Sequence, residues 1–334
     1  MVYGLGLAAS LVAGLLALPV LVAGSDRVVN RLSGIAAAYN IPDVVVAMTI
    51  ISIGTSLPEL AAHTIASIGI LRGTLDYQIA SATVLGGNIG SDVVQQTLVV
   101  GIVVFAFAWQ KGKSFEFEEV FLKRDYLPMI GTTLMTMILA WDGILSRLDG
   151  LVLVASFAGY MYYLYRGRGV HYSHSTTPSS HVRRDAAIAL VGMAAVLLSA
   201  RVVLDVTAMV VEVTGLGGSL VGVMTLGIAS ALPEMFTALH GIRYGSSGLS
   251  LGTLIGSNIT NPLLAIGSGA LLSTYWVPRP LVLWDLPMET VTAGMLLAYL
   301  LFISDRKLGW KGGVYLVGLY LFYVLVRFSF FAVD

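Results

Sequence analysis

Residues 53–60 read Ile-Gly-Thr-Ser-Leu-Pro-Glu-Leu, and residues 228–235 read Ile-Ala-Ser-Ala-Leu-Pro-Glu-Met. Each phrase lies inside an apolar stretch of membrane-spanning length. A carboxylate near the centre of a bilayer costs roughly 2.5 kcal/mol or more, so Glu59 and Glu234 each call for a cation or a proton. Two of them in matched contexts point to one ion site.

The composition sets the class. Of 334 residues only 11% are charged and 57% are hydrophobic, and the mean hydropathy is +0.85. A soluble domain of that composition would expose large apolar patches, so the chain reads as a polytopic membrane protein embedded in a lipid bilayer. The 19 basic and 19 acidic residues cancel, leaving no electrostatic footprint for nucleic acid. The absence of cysteine removes disulfides and thiol chemistry. No basic segment precedes the first apolar run, so residues 3–24 read as a spanning helix rather than a cleaved signal.

About 20 apolar residues are needed to cross ~30 Å of hydrocarbon. Ten stretches fit: 3–24, 43–70, 79–108, 126–142, 148–166, 186–211, 217–241, 249–273, 282–303 and 309–330. The polar stretch from Arg166 to Asp185, with His171, His174 and His181, divides them five against five. The expected organisation is all-α: a first half over 1–165, a linker over 166–185, and a second half over 186–334. With a cytoplasmic linker, the outer face carries Arg72, Arg147, Arg201, Arg279 and Arg327, and the other fourteen basic residues lie inside. That asymmetry is the one the positive-inside rule favours, and it turns both termini outward in an inner or plasma membrane.

The halves repeat. Gly86–Ser91 (Gly-Gly-Asn-Ile-Gly-Ser) follows Glu59 as Gly252–Ser257 (Gly-Thr-Leu-Ile-Gly-Ser) follows Glu234. An odd number of spans per half makes the second copy inverted, the plan in which broken helices meet at a midplane site. Helix breaks are expected at Gly54, Pro58 and Pro233 and at the glycine clusters, and backbone freed there offers carbonyls to a hard cation.

Helical spacing puts Thr55 with Glu59, Ser230 with Glu234, Ser91 with Gln95, and Ser257 with Asn261 on common faces. These faces supply carboxylate, hydroxyl, amide and backbone oxygens, with no soft ligand and no chelating histidine pair. Such a set suits Ca²⁺ or Na⁺ and disfavours zinc or copper. Close helix packing is the expected use of Gly86, Gly90, Gly252 and Gly256. His63, four residues after Glu59, is expected to be hydrogen-bonded and is a secondary candidate for carrying its proton.

The phrase Gly-Thr-Ser-Leu-Pro-Glu followed some 30 residues later by Gly-x-x-x-Gly-Ser, in both halves, resembles the α-repeats of the cation/Ca²⁺ exchanger superfamily, most closely its prokaryotic sodium/calcium branch. The resemblance covers nearly the whole chain. It implies a ten-helix inverted-repeat antiporter exporting Ca²⁺ against Na⁺, or alternatively H⁺. Thr55, Ser56, Glu59, Ser91 and Gln95 would face Ser230, Ala231, Glu234, Ser257 and Asn261 across a central site. No resident cofactor is implied, and a monomer suffices.

Two departures from that pattern stand out. Gln95 occupies a position commonly asparagine and Asn261 one commonly aspartate, so the third central carboxylate is missing; Ser56 also lacks a hydroxyl counterpart at Ala231. Asp92 is the one nearby acid, but a single residue step turns a helix by about 100°, away from the Ser91 and Gln95 face, so it is expected to bond a neighbouring helix. Two competing classes fare worse. The pattern Gly245-Ser246-Ser247-Gly248 resembles that of rhomboid proteases, yet no histidine follows it to serve as base. A channel would use the same oxygens, but two carboxylates at one midplane site favour tight binding and alternating access.

Overall fold

The computed structural model describes residues 7–39, 52–166, 179–243 and 247–334, without the side chains at 7, 36, 52, 55, 120, 237 and 240–253. The side chain of Thr55, the linker residues His171 and His174, the turn Gly245–Ser246 and the side-chain space at Gly252 therefore lie outside the described residues.

The chain is mostly helical. Helix α1 is Leu7–Ala38, running well past residue 24. A short turn, Ser52–Thr55, precedes α2, Leu57–Leu71. Then come α3, Tyr77–Lys111; α4, Leu127–Leu139; α5, Arg147–Arg166; and α6, Val182–Thr214. Helix α7 begins at Gly218–Gly222 and ends in Ile228–Arg243. Helix α8 joins Ser247–Thr260 to Gly267–Ser273; α9 is Leu281–Phe302 and α10 is Trp310–Phe330. Among the described residues, seven helices are long and apolar enough to cross a membrane: α1, α3, α5, α6, α7, α9 and α10. Leu57–Leu71 is apolar but shorter, and Leu127–Leu139 has only 13 residues, extended at its start by a wide π-type turn at Leu122–Tyr126.

The helices pack in exchanged pairs. Helix α1 lies along α6, α3 along both α7 and α10, α8 along both α2 and α5, and α4 along α9. Two small antiparallel ribbons repeat the exchange: Phe115–Glu116 pairs with Lys307–Leu308, and Ile144–Leu145 with Tyr275–Trp276. Close approach of α3 and α7 depends on glycine. A Cβ on Gly86 would run into the Ser219 carbonyl oxygen, and one on Gly222 into that of Thr83.

Four details depart from the sequence reading. Helix α7 passes through Pro233, and α3 passes through Gly86, Gly87 and Gly90 without a break. The irregularities are instead wide turns at Gln95–Val99, Val223–Gly227 and Asn261–Ile266, which keep backbone bonds inside the segment, as a bilayer demands. Asp185 belongs to the first turn of α6, not to the linker. It accepts from Arg31 at 2.9 Å and from Ser179 at 2.6 Å, and a carboxylate is favoured at a helix N-terminus. Gly256 has open space where a Cβ would stand, so close packing does not explain that glycine, whereas Gly90 abuts Val223. Finally, Arg327 is no surface charge. It is fully buried and pairs with Asp285 at 3.0 Å, while Tyr323 donates to the same carboxylate at 2.6 Å. Removing one partner of a pair so buried costs about 3–5 kcal/mol.

Candidate ion-binding site

The phrase that carries Glu59 folds as a break followed by a helix start. Ser56 leaves helical geometry, and Pro58 stands in the first turn of α2. A proline has no N–H for the carbonyl four residues earlier, which frees the Gly54 carbonyl; by the same rule Pro233 frees that of Ala229. Glu59 and Glu234 each follow such a proline, and both are buried, 5% and 2% exposed.

Around Glu59 the contacts cross between halves. Ser91 donates to its Oε1 at 3.2 Å, and Ser230 and Asn261 face the same carboxylate. Glu59 and Glu234 lie within electrostatic reach of each other. Gln95 Nε2 donates to Ser91 Oγ at 3.1 Å, as their common face implies. Its Oε1 accepts from Ser257 at 2.8 Å and from Asn258 at 3.0 Å. Asn261 Nδ2 donates to Asp92 Oδ1 at 2.7 Å. Asp92 thus bonds a neighbouring helix, and the residue it holds is itself a candidate ligand. Ser230 turns its hydroxyl back to the Leu226 carbonyl at 2.8 Å, the local bond common for serine in helices. Ala231 is buried beside it and offers only a methyl group.

The decisive feature is what remains unsatisfied. Among the described residues, no hydrogen-bond donor meets Ser56 Oγ, Glu59 Oε2, either oxygen of Glu234, Asn88 Oδ1, Gln96 Oε1 or Asn261 Oδ1. Buried polar atoms are ordinarily paired, and each of these seven is an oxygen able to accept. No three His, Asp or Glu side chains among the described residues come close enough to hold a metal ion by themselves. The donor-less oxygens at this layer are therefore carboxylate, hydroxyl and amide oxygens in mixture, not a cluster of charged ligands.

The sequence reading missed Glu289. It is 2% exposed on α9, and its Oε1 accepts from Thr133 at 2.7 Å and Gln96 at 3.1 Å. Gln96 also donates to Asn258 at 3.1 Å. A continuous hydrogen-bonded chain therefore runs from Glu59 through Ser91, Gln95, Asn258 and Gln96 to Glu289. Repeat matching could not flag it. In the aligned phrases Leu-Pro-Met at 127–129 and 286–288, the next residue is Ile130 in one half and Glu289 in the other. His63 is fully buried, with Nδ1 3.1 Å from the Tyr275 hydroxyl and Nε2 3.4 Å from Asn88, which is the hydrogen-bonded state expected of it.

The profile of the sodium/calcium exchanger protein family matches residues 9–166 and 185–329. The chain belongs to that family. Among its relatives is the sodium/calcium exchanger MaX1 of Methanosarcina acetivorans, 26% identical over 360 residues that cover 94% of this chain and 97% of MaX1. Another is the inner membrane protein YrbG of Escherichia coli, 27% identical over 278 residues and 79% of each chain. Of the solved structures, that of the H⁺/Ca²⁺ exchanger CAX superposes with a TM-score of 0.76 at 19% identity, over 96% of this chain and 82% of that one. The sodium-calcium exchanger NCX_Mj superposes at 0.60 with 21% identity, over 96% and 98%. Both share the fold of this family member.

Proposed function

We propose that this exchanger exports Ca²⁺ in return for Na⁺ by alternating access at the layer between the two halves. The observation that carries the reading is the set of buried, donor-less oxygens around Glu59 and Glu234. Calcium takes 6–8 oxygen ligands. The two carboxylates balance its charge, the Gly54 and Ala229 carbonyls add backbone oxygens, and Thr55 and Ser230 flank them. Sodium occupies overlapping positions drawn from Ser56, Ser91, Gln95, Ser257 and Asn261, so the cargoes compete. Ser56 and Asn261 offer a free oxygen at once, whereas Gln95 must first release Ser257 and Asn258. No nucleotide-binding motif exists in the sequence, so an ion gradient supplies the energy. With Asn261 in place of a third carboxylate, two Na⁺ per Ca²⁺ is the proposed stoichiometry.

The architecture proposed for this activity is ten spans in two inverted five-helix halves, 1–165 and 186–334, with the linker cytoplasmic and both termini outside. Contacts between helix ends support it by parity. The ribbon from the α3–α4 connection to the α9–α10 connection requires an even number of crossings between them, and α4 to α9 make six. The second ribbon, from α4–α5 to α8–α9, is likewise satisfied by four. The amide of Gly217, ahead of α7, donates to the Ala332 carbonyl at 2.8 Å, which four crossings also allow.

The direct test is Ca²⁺ flux in proteoliposomes under imposed Na⁺ or pH gradients, with the potential clamped. Uptake driven by Na⁺ and insensitive to voltage is expected. A one-charge exchange would instead respond by roughly 2.3 kcal/mol per 100 mV. Flux driven only by pH would reassign the coupling to protons, and no Ca²⁺ flux under either gradient would remove the proposal. For topology, single cysteines at Ser175 and Asp334 in this cysteine-free chain are expected to label from opposite sides. Labelling from the same side refutes the odd-span halves.

A further inference from the structure

On the outer surface of the α1–α6 pair lies a groove of about 630 Å³, lined from Pro19 to Arg27 on α1 and from Arg184 to Ala195 on α6. Its lining is apolar apart from the two arginines, which stand together at one end because the helices run antiparallel. The groove exists because the facing residues are small. Ala23 and Gly24 on one side oppose Gly192 and Ala195 on the other. The helices are already as close as they can be: a Cβ on Gly24 would meet Val196 at 2.9 Å, and one on Gly192 would meet Val28 at 2.9 Å. No side chain of either helix fills the space beside that crossing.

We propose that this groove binds one anionic glycerophospholipid, an acyl chain lying between α1 and α6 and the phosphate held by Arg27 and Arg184. Three observations select that occupant. From Pro19 to Arg27 the groove rises about 12 Å, short enough for one leaflet of a ~30 Å hydrocarbon core, and Arg27 and Arg184 stand just outside the apolar stretches 3–24 and 186–211, where a headgroup lies. Both arginines are exposed, and neither forms an ion pair among the described residues. The neighbouring carboxylate, Asp185, bonds Arg31 at 2.9 Å and Ser179 at 2.6 Å and lies within electrostatic reach of Arg184 without forming an ion pair to it. Two guanidiniums at one mouth match the forked geometry of phosphate, and their net positive charge favours a lipid with net negative charge over a zwitterionic one.

The test is native mass spectrometry of the full-length purified protein, titrated with dioleoyl-phosphatidylglycerol, dioleoyl-phosphatidylcholine or glycerol phosphate. One phosphatidylglycerol per chain is expected to bind at least tenfold more tightly than phosphatidylcholine, with glycerol phosphate not retained. The Arg27→Gln/Arg184→Gln variant is expected to lose that preference, and Arg27→Lys/Arg184→Lys to keep most of it. Ala195→Phe, which fills the groove and leaves both arginines, is expected to weaken binding at least tenfold. Undiminished phosphatidylglycerol binding by the double glutamine variant, or equal retention of the two lipids, overturns the proposal. Retention of glycerol phosphate equal to that of phosphatidylglycerol shows a phosphate site without a lipid and overturns it as well. None of these readings depends on transport.

Discussion

The two halves carry the same phrase and use it differently. Glu59 follows a break at Ser56 and is met by Ser91; Glu234 lies in a helix that continues through its proline, and neither of its oxygens has a donor among the described residues. The amides diverge in the same way. Gln95 spends its oxygen on Ser257 and Asn258, whereas Asn261 keeps its oxygen free and gives its N–H to Asp92. A repeated phrase supplies matched positions, and a few substitutions then leave one copy tied into hydrogen bonds and the other with its oxygens unengaged.

The strongest way to break this comparison is to remove each carboxylate in turn. One unit charge about 4 Å from another contributes about 4 kcal/mol at an effective dielectric of 20, and about twice that when the other is divalent, so losing either glutamate costs at least on the order of a thousand-fold in affinity. Glu59→Gln and Glu234→Gln are each expected to abolish Ca²⁺ exchange in proteoliposomes while the protein remains folded and inserted. Near-normal exchange by either variant would contradict a shared site.

A milder change probes how Asp92 orients Asn261. A side-chain hydrogen bond contributes about 0.5–1.5 kcal/mol, so Asp92→Asn is expected to weaken the apparent Na⁺ or Ca²⁺ affinity by up to about tenfold. The fold should survive, because the isosteric amide still offers an oxygen to the Asn261 N–H. An unchanged concentration dependence of flux for both ions would reduce Asp92 to a packing group.

The smallest effects compare the glycines. Overpacking a tight contact costs about 1–3 kcal/mol, and Gly86→Ala must displace the Ser219 backbone. Its thermal unfolding temperature in detergent is expected to fall, while Gly256→Ala, with open space around it, should match the parent. Equal melting of the two variants would show that α3 and α7 are free to separate.

Composition and period alone establish an all-helical membrane chain, because 57% hydrophobic residues in runs of bilayer length admit little else. The repeated Pro-Glu phrase likewise singles out two carboxylates that are both buried, where each calls for a cation or a proton. Sequence also places Ser91 with Gln95, a pair one helical turn apart. What it cannot carry is the relation between helices. The bonds from Ser257 to Gln95, from Asn261 to Asp92 and from Gln96 to Glu289 join residues more than 160 positions apart, and helical period says only which face a side chain takes. Glu289 has no repeat partner to betray it, and Arg327 reads as a surface charge until Asp285 is brought beside it. Local spacing decides which groups share a face; only packing decides which oxygens are consumed by donors and which are left for an ion.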